Sequence, residues 1–280
     1  MGATLTFGAP PLPAPLTLQL ADWPLPAGLS SVEFLSDLHL DPSRPRTLAV
    51  LADYLSHSTA DAIVLLGDLF EVWVGDDAMA GPHEASCVAL LHQAAQRRPM
   101  GCMVGNRDFL LGPAFHEAAG LVPLPDATLV ALKGAPRVLL THGDAWCLDD
   151  RSYLDFRAEV RSPAWQHAFL ARPLSERQAL ARQMRAASEQ RRHSCTPEAY
   201  GDVDAVAARQ GLARAGATVL LHGHTHRPAQ HELGSGLSRW VLSDWEFDGL
   251  EAPRGDVIRL DAGGLSRHRV RPDGRLQPAS

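Results

Sequence analysis

The chain has 280 residues, of which 45% are hydrophobic and 21% charged, with a formal net charge of -6 at pH 7. That is enough for one large domain or two smaller ones around a sizeable core, and the acidic balance provides no whole-chain basic field of the kind that binds nucleic acid. The four cysteines, Cys87, Cys102, Cys147 and Cys195, have no paired spacing, the N-terminus lacks a basic-then-apolar signal, and no run approaches the roughly 20 apolar residues of a membrane span, so a cytosolic setting with at most peripheral membrane contact is expected.

In chain order, residues 1–30 come first, and their six prolines, from Pro10 to Pro26, disfavour helix and central strand alike. This leader is expected to be irregular. From Ser31 the pattern alternates: strand at 32–36, helix near 46–57, strand at 62–66, helix near 83–97 and strand at 101–104. Such alternation means βαβ units and a layered α/β fold. Val138 to Leu140 and Val219 to Leu221 are further short apolar runs of the kind buried on both faces of a sheet.

Between them, residues 151–192 carry nine arginines against four acids and almost no strand signal, so a basic helical insert is expected at about 150–200. Pro163 behind Ser162 reads as a helix first turn, and Ser175 with Gln178 as a capping box. Thr196 and Pro197 start another helix, which Gly211 is expected to stop. Trp240 to Leu242, Val257 to Leu260 and Arg267 to Val270 read as strands. The organisation expected is a domain over 31–262 containing the insert, then a strand and tail over 263–280.

Five polar blocks follow the apolar runs: Asp37-Leu38-His39, Gly67-Asp68, Gly105-Asn106-Arg107-Asp108, His142-Gly143-Asp144 and His222-Gly223-His224-Thr225-His226. Singly each has an ordinary reading: Gly-Asp as a turn, His142 as a core histidine, Asn106 as a turn residue, Arg107 as the partner of Asp108 or another surface acid. Together, on strand ends that emerge along one rim, they spell a metal site. Asp37 and His39, two apart in an extended chain, share a face, and His224 and His226 repeat that geometry. Carboxylate, amide and imidazole donors suit octahedral divalent ions such as Mn²⁺. Asp68 is placed to bridge two ions, and such a pair clamps an in-line phosphoryl displacement. Asp76, Asp77, Asp144, Asp149 and Asp244 read as supporting acids, helix caps or turn residues.

These blocks, from about Val32 to Trp245, resemble the calcineurin-like metallophosphoesterase superfamily. The longer strings, Ser36 to Leu40, Gly67 to Asp77, Gly105 to Leu110 and His222 to Pro228, are similar to its UDP-2,3-diacylglucosamine pyrophosphatase family. The resemblance implies a four-layered α/β metallophosphoesterase sandwich with the insert capping the site. It implies two Mn²⁺ per chain, one on Asp37, His39, Asp68 and His226, the other on Asp68, Asn106, His142 and His224. It further implies hydrolysis of a nucleotide-linked diacylated sugar to UMP and 2,3-diacylglucosamine 1-phosphate on the lipid A pathway, by a hydroxide that the two metals activate. Asp68, Asn106 and Arg107 are the catalytic candidates. Many superfamily members carry His where Arg107 stands, and arginine suits a phosphate leaving group that needs little protonation.

Substrate contacts carried over from the family fall on Asn106, Arg107, Asp150, Tyr153, Arg185, Ser188 and His224. Two positions depart from the pattern: Arg192 stands where Asn is expected, and Cys195 where Lys is expected. Arg191 or Arg192 then becomes the candidate for the missing charge. The apolar residues of the insert would hold acyl chains, its arginines phosphates or the anionic cytoplasmic face of the inner membrane. No nucleic acid and no obligate protein partner is expected. Two rival readings share the fold: a metallophosphoesterase acting on a nucleotide or phosphoprotein, and a catalytically silent binding protein.

Overall fold

The structure, a computed structural model, describes residues 20–23, 25–194 and 201–279, and over 186–194 only the course of the backbone. Short aliphatic runs form β2 (Ser31–Leu35), β3 (Ala62–Leu66), β4 (Met100–Met103), β7 (Val138–Leu140) and β8 (Val219–His222). Shorter or more polar segments add β1 (Ala21–Asp22), β5 (Val122–Pro123), β6 (Thr128–Val130), β9 (Ala229–Gly234) and β10 (Leu237–Val241). The chain closes with β11 (Asp256–Asp261), β12 (Gly264–Val270) and β13 (Leu276–Pro278). Proline at the first turn opens α1 (Pro45–His57), α2 (Pro82–Ala95), α3 (Pro113–Ala119) and α5 (Pro163–Leu170), where its missing N–H costs nothing. The remaining helices are α4 (Arg151–Val160), α6 (Leu174–Ser194) and α7 (Ala205–Ala215).

Two sheets result, one in the order β13-β12-β11-β2-β3-β4-β5 and one in the order β1-β6-β7-β8-β10-β9. Period-two alternation sorts their side chains into layers. Val32, Phe34, Val64 and Leu66 of the first sheet pack against Val138, Leu140, Val219 and Leu221 of the second. The opposite face of the first sheet sends Leu35, Ile63 and Leu65 toward α1, α2 and α3, and that of the second sends Leu139 and Leu220 toward α7. Helices, sheet, sheet and helix make the four-layered α/β sandwich. The parallel strands are in a register that pairs Leu35 with Leu65, Leu66 with Met103 and Leu140 with Leu221, so they end at one level.

Several local expectations are corrected. Ser175 does not cap α6, which starts at Leu174 behind Pro173, the carbonyl of Pro173 accepting from Glu176 and Arg177. Thr196 and Pro197 lie outside the described residues. The helix after them, α7, begins at Ala205, and the Asp204 carboxylate caps it by accepting from the Ala207 N–H at 2.7 Å. Gly211 does not stop α7 but shares its buried face with Ala208 and Leu212; the stop is Gly216, at φ 58. Within the Pro-rich leader, β1 pairs with β6 and Trp23, 6% exposed, sits between the sheets. Among the described residues, no helix is long and apolar enough to cross a membrane.

Candidate metal centre

At the strand ends the backbone turns left-handed. Asp37 (φ 55), His39 (φ 48), Asp68 (φ 51), His224 (φ 64) and His226 (φ 53) are five of the six non-glycine residues with positive φ among those described. Each such conformation costs on the order of 1 kcal/mol or more and persists only where its surroundings hold it. The shared face expected of Asp37 and His39 from an extended chain is therefore corrected: left-handed turns, not an extended ladder, aim both side chains. His224 and His226 line the same cavity but serve different groups, His224 beside Asn106 and His226 beside Asp37 and His39. The neighbouring glycines allow the close approach. A Cβ on Gly105 would overlap Asp68, and one on Gly223 would overlap Ser36 and Asp37.

The structure brings the candidate ligands into two adjoining groups. In the first, Asp37 Oδ1 lies 3.2 Å from His226 Nε2 and 3.9 Å from His39 Nε2, and the two histidine nitrogens are 3.3 Å apart. In the second, Asn106 Oδ1 lies 3.0 Å from His142 Nε2 and 2.8 Å from His224 Nδ1. Asp68 Oδ1, 3.6 Å from His142 Nε2, joins them, and ligand atoms of Asp37, Asp68 and His142 all fall within 4.8 Å of one another. Asp37, Asp68 and His142 are buried.

The electrostatics fit a divalent cation. Burial works against the imidazolium of His142, yet the carboxylates of Asp68, Asp37 and Asp144 outweigh it and raise the pKa to about 9. A field that keeps a proton on a fully buried ring favours a metal ion in the same place. Burial also pushes the Asp37 carboxyl up, but the facing histidines, His226 foremost, hold it far below the usual carboxylate range. Burial, with the His142 charge, lowers His224 to about 3, which leaves its ring neutral, as a ligand must be.

The Nδ1 atoms of His142, His39 and His226, turned away from the centre, each face an acceptor oxygen. His142 Nδ1 donates to the Leu66 carbonyl at 2.8 Å. His39 Nδ1 faces Glu71 Oε2 at 3.1 Å, and His226 Nδ1 faces Asp244 Oδ2 at 3.7 Å, an oxygen also paired with Arg254 at 2.6 Å. Asp108, fully buried, accepts from the N–H groups of Gly105 and Leu69, each at 2.7 Å, so it ties the third block to the second. Burial and the nearby Asp68 push its carboxyl up to about 6. Arg107 accordingly does not pair with Asp108: its Nη1 lies 3.5 Å from Glu71 Oε1, and its N–H donates to Asp68 Oδ1 at 2.8 Å. Glu71 is the site residue that sequence reasoning missed. Its signal was a single acid inside the apolar run from Leu69 to Val74.

Asp76, read as a loop-orienting acid, accepts from Trp73 Nε1 and from the N–H groups of Gly112 and Phe115. Asp144 fastens the insert. Tyr153 Oη at 2.5 Å, Arg157 Nε at 2.8 Å and Arg161 Nη2 at 3.4 Å, four residues apart along α4 and its C-terminal cap Arg161, all donate to its Oδ2. Arg161 also reaches the Gly105 carbonyl at 2.8 Å. Arg177, 2% exposed, binds α6 to the Val74 carbonyl and to Asp77. The expectation that the arginines of the insert face substrate or membrane is therefore corrected for Arg157, Arg161 and Arg177, which anchor it instead.

Of the carried-over substrate contacts, Asp150 caps α4, accepting from the Tyr153 N–H at 3.0 Å, while Asp149 is exposed. The Tyr153 ring lies 6.1 Å from that of His224, and Arg185 Nη2 lies 2.9 Å from Glu71 Oε1. The side chains of Ser188, Arg191 and Arg192, and Cys195 altogether, lie outside the described residues. A cavity of about 760 Å³ separates core and insert. Its lining includes His39, Asp68, Asn106, Arg107, His224 and His226 together with Phe109, Phe156, Trp165, Phe169 and Met184.

The family model described as calcineurin-like phosphoesterase matches residues 31–228. The UDP-2,3-diacylglucosamine hydrolase of Chromobacterium violaceum is 44% identical over 237 residues, 84% of this chain and 97% of that protein. Those of Xanthomonas campestris pv. campestris and Xanthomonas oryzae pv. oryzae are each 43% identical, over 85% and 83% of this chain and 98% and 96% of theirs. Among solved structures, the phosphoesterase Yfce of E. coli aligns with a TM-score of 0.42 at 17% identity, over 88% of this chain and 96% of that one. The chain belongs to the calcineurin-like phosphoesterase family and, within it, to the group of the UDP-2,3-diacylglucosamine hydrolases.

Proposed function

We propose that this chain hydrolyses the diphosphate of UDP-2,3-diacylglucosamine to UMP and 2,3-diacylglucosamine 1-phosphate, a step of lipid A biosynthesis, with two Mn²⁺ per chain. The observation that carries the reading is one cavity lined both by the metal-ligating donors with Arg107 and by the apolar Phe109, Phe156, Trp165, Phe169 and Met184. A diphosphate flanked by acyl chains matches that division, and the relatives, matched over 97% and 98% of their own length, are hydrolases of that substrate by name.

Asp37, His39, Asp68 and His226 would hold one ion, and Asp68, Asn106, His142 and His224 the other. Two divalent ions bound there would supply a water of lowered pKa and neutralise charge on the phosphorus oxygens. The side chains of the protein do the rest. Arg107 offers its guanidinium to the phosphorus on the UMP side and steadies the charge that develops there. Arg185, reaching in from α6, offers a second guanidinium to the diphosphate. Phe156, Trp165, Phe169 and Met184 take the acyl chains and exclude water, while Asp144 keeps the insert seated over the site.

Ser188 and Arg192 remain candidates for the sugar and nucleotide ends. The enzyme works at the cytoplasmic face of the inner membrane, where the exposed Leu170 and the exposed Arg151, Arg172 and Arg182 of the insert suit an anionic lipid surface. A panel of UDP-sugars tests the substrate. UDP-2,3-diacylglucosamine should be cleaved at least a hundredfold faster than UDP-N-acetylglucosamine, and equal rates would refute the role given to the apolar walls.

A further inference from the structure

Glu71 is 6% exposed and stands where three separate parts of the molecule meet. Its own backbone is fixed by the N–H donating to the Leu40 carbonyl at 3.1 Å. One carboxylate oxygen, Oε2, faces His39 Nδ1 at 3.1 Å. The other, Oε1, meets Arg185 Nη2 at 2.9 Å and Arg107 Nη1 at 3.5 Å. His39 belongs to the first strand end, Arg107 to the loop after β4, and Arg185 to the insert. All four residues line the same cavity.

Two guanidinium groups on one oxygen repel each other, and a buried carboxylate between them is what holds both at one place. Arginine side chains carry large rotamer freedom, so a group that fixes two of them before a ligand arrives removes an ordering cost from the reaction. We infer that Glu71 is a positioning residue for this reaction: it aims Arg107 and Arg185 jointly at the phosphate beside His39 and so couples the insert to the metal centre. The inference rests on the hydrolase reading above. Glutamine cannot take this role, because its single acceptor oxygen can serve either His39 or the arginines, and its amide N–H₂ faces whichever is left.

The test is Glu71→Gln, alone and in the Arg107→Ala background, on the Mn²⁺-loaded full chain. Turnover of UDP-2,3-diacylglucosamine, Mn²⁺ content, thermal midpoint and the Kd of inorganic phosphate by calorimetry are measured together. Glu71→Gln should lower kcat at least 30-fold while more than half of the Mn²⁺ is retained and the protein stays folded at the assay temperature, its midpoint lowered by the loss of a buried counterion. Phosphate should bind at least as tightly as before, since a repelling charge is gone. In the Arg107→Ala background the same change should lower kcat clearly less than it does alone, because one of the two arginines it acts through is absent. An unchanged kcat, a loss of phosphate affinity and metal in step with kcat, or additive losses in the cycle would each overturn the inference. Should Glu71→Gln fail to fold, Arg185→Ala carries the test: kcat should fall at least tenfold, and a change under twofold would overturn it. Wild-type protein inactive on UDP-2,3-diacylglucosamine would refute the substrate reading instead, and the phosphate arm would then test Glu71 by itself.

Discussion

Replacing Asp144 with Asn should loosen the insert without emptying the metal centre. Three donors along α4 and its C-terminal cap converge on a single carboxylate oxygen that is itself fully buried. Asparagine keeps the volume but loses the charge, so Arg157 and Arg161 lose their counterion. Breaking a buried pair by removing one partner costs about 3–5 kcal/mol. The Arg157 and Arg161 side chains are 23% and 19% exposed and recover part of that from water, so about 2–4 kcal/mol is expected. For a chain of this size that lowers the thermal midpoint by roughly 5–15 °C. Activity should divide as well. Because α4 carries Asp150 and Tyr153 into the cavity, KM for UDP-2,3-diacylglucosamine should rise at least fivefold while a small phosphodiester such as bis(p-nitrophenyl) phosphate is hydrolysed within twofold of wild type. A midpoint within 1 °C of wild type, or equal losses on both substrates, would refute the idea that Asp144 fastens the insert.

Other consequences are independent of Asp144. Arg107→Ala should lower kcat by about 10²-fold or more, in the range of a lost charge-stabilising donor, while Mn²⁺ content measured by atomic absorption stays within a fifth of wild type; equal loss of both would contradict its role. In metal-free protein the pKa of His142 is raised above its unfolded value, so the stability it contributes is full below about pH 6.5 and lost as pH rises toward 9. Metal binding must displace that proton, so the apparent Kd for Mn²⁺ should tighten by about tenfold per pH unit between pH 7 and 8.5, and a flat profile in calorimetry would contradict it. Gly105→Ala should cost most of the activity and metal, because its Cβ overlaps Asp68, and near-normal metal content would refute the close approach. Neutralising Arg151, Arg172 and Arg182 together should weaken sedimentation with anionic vesicles at least threefold; unchanged sedimentation would remove the membrane role from the insert.

Much of the layered fold and the strand-end blocks could be read from the sequence because both depend on local pattern. Runs such as Ala62 to Leu66, buried on both faces, have no polar alternation and end in Gly-Asp, so element and block appear together. What could not be read depended on tertiary context. β6 spans three residues, too few for periodicity, and β9, Ala229–Gly234, lies at a sheet edge with a largely polar sequence. Trp23 is held by the core that receives it, which a count of prolines in the leader cannot register. At the site, residue types identified the candidate ligands, but two-apart spacing did not reveal that left-handed turns send His224 and His226 to different groups. Glu71 was hidden because its partners, His39, Arg107 and Arg185, come from positions up to 146 residues apart in the numbering of this chain. The charge of the insert misled in the same way, since net charge does not say which arginines are anchors.

One assay tests the proposed reaction most directly: release of UMP from UDP-2,3-diacylglucosamine by purified protein stripped of metal and then reloaded with Mn²⁺. Stripped protein should release UMP at less than a hundredth of the reloaded rate, and Mn²⁺ should restore it in a saturable manner. Full activity without metal, or no UMP release with Mn²⁺ bound, would contradict a metal-dependent diphosphate hydrolase built on Asp37, His39, Asp68, Asn106, His142, His224 and His226.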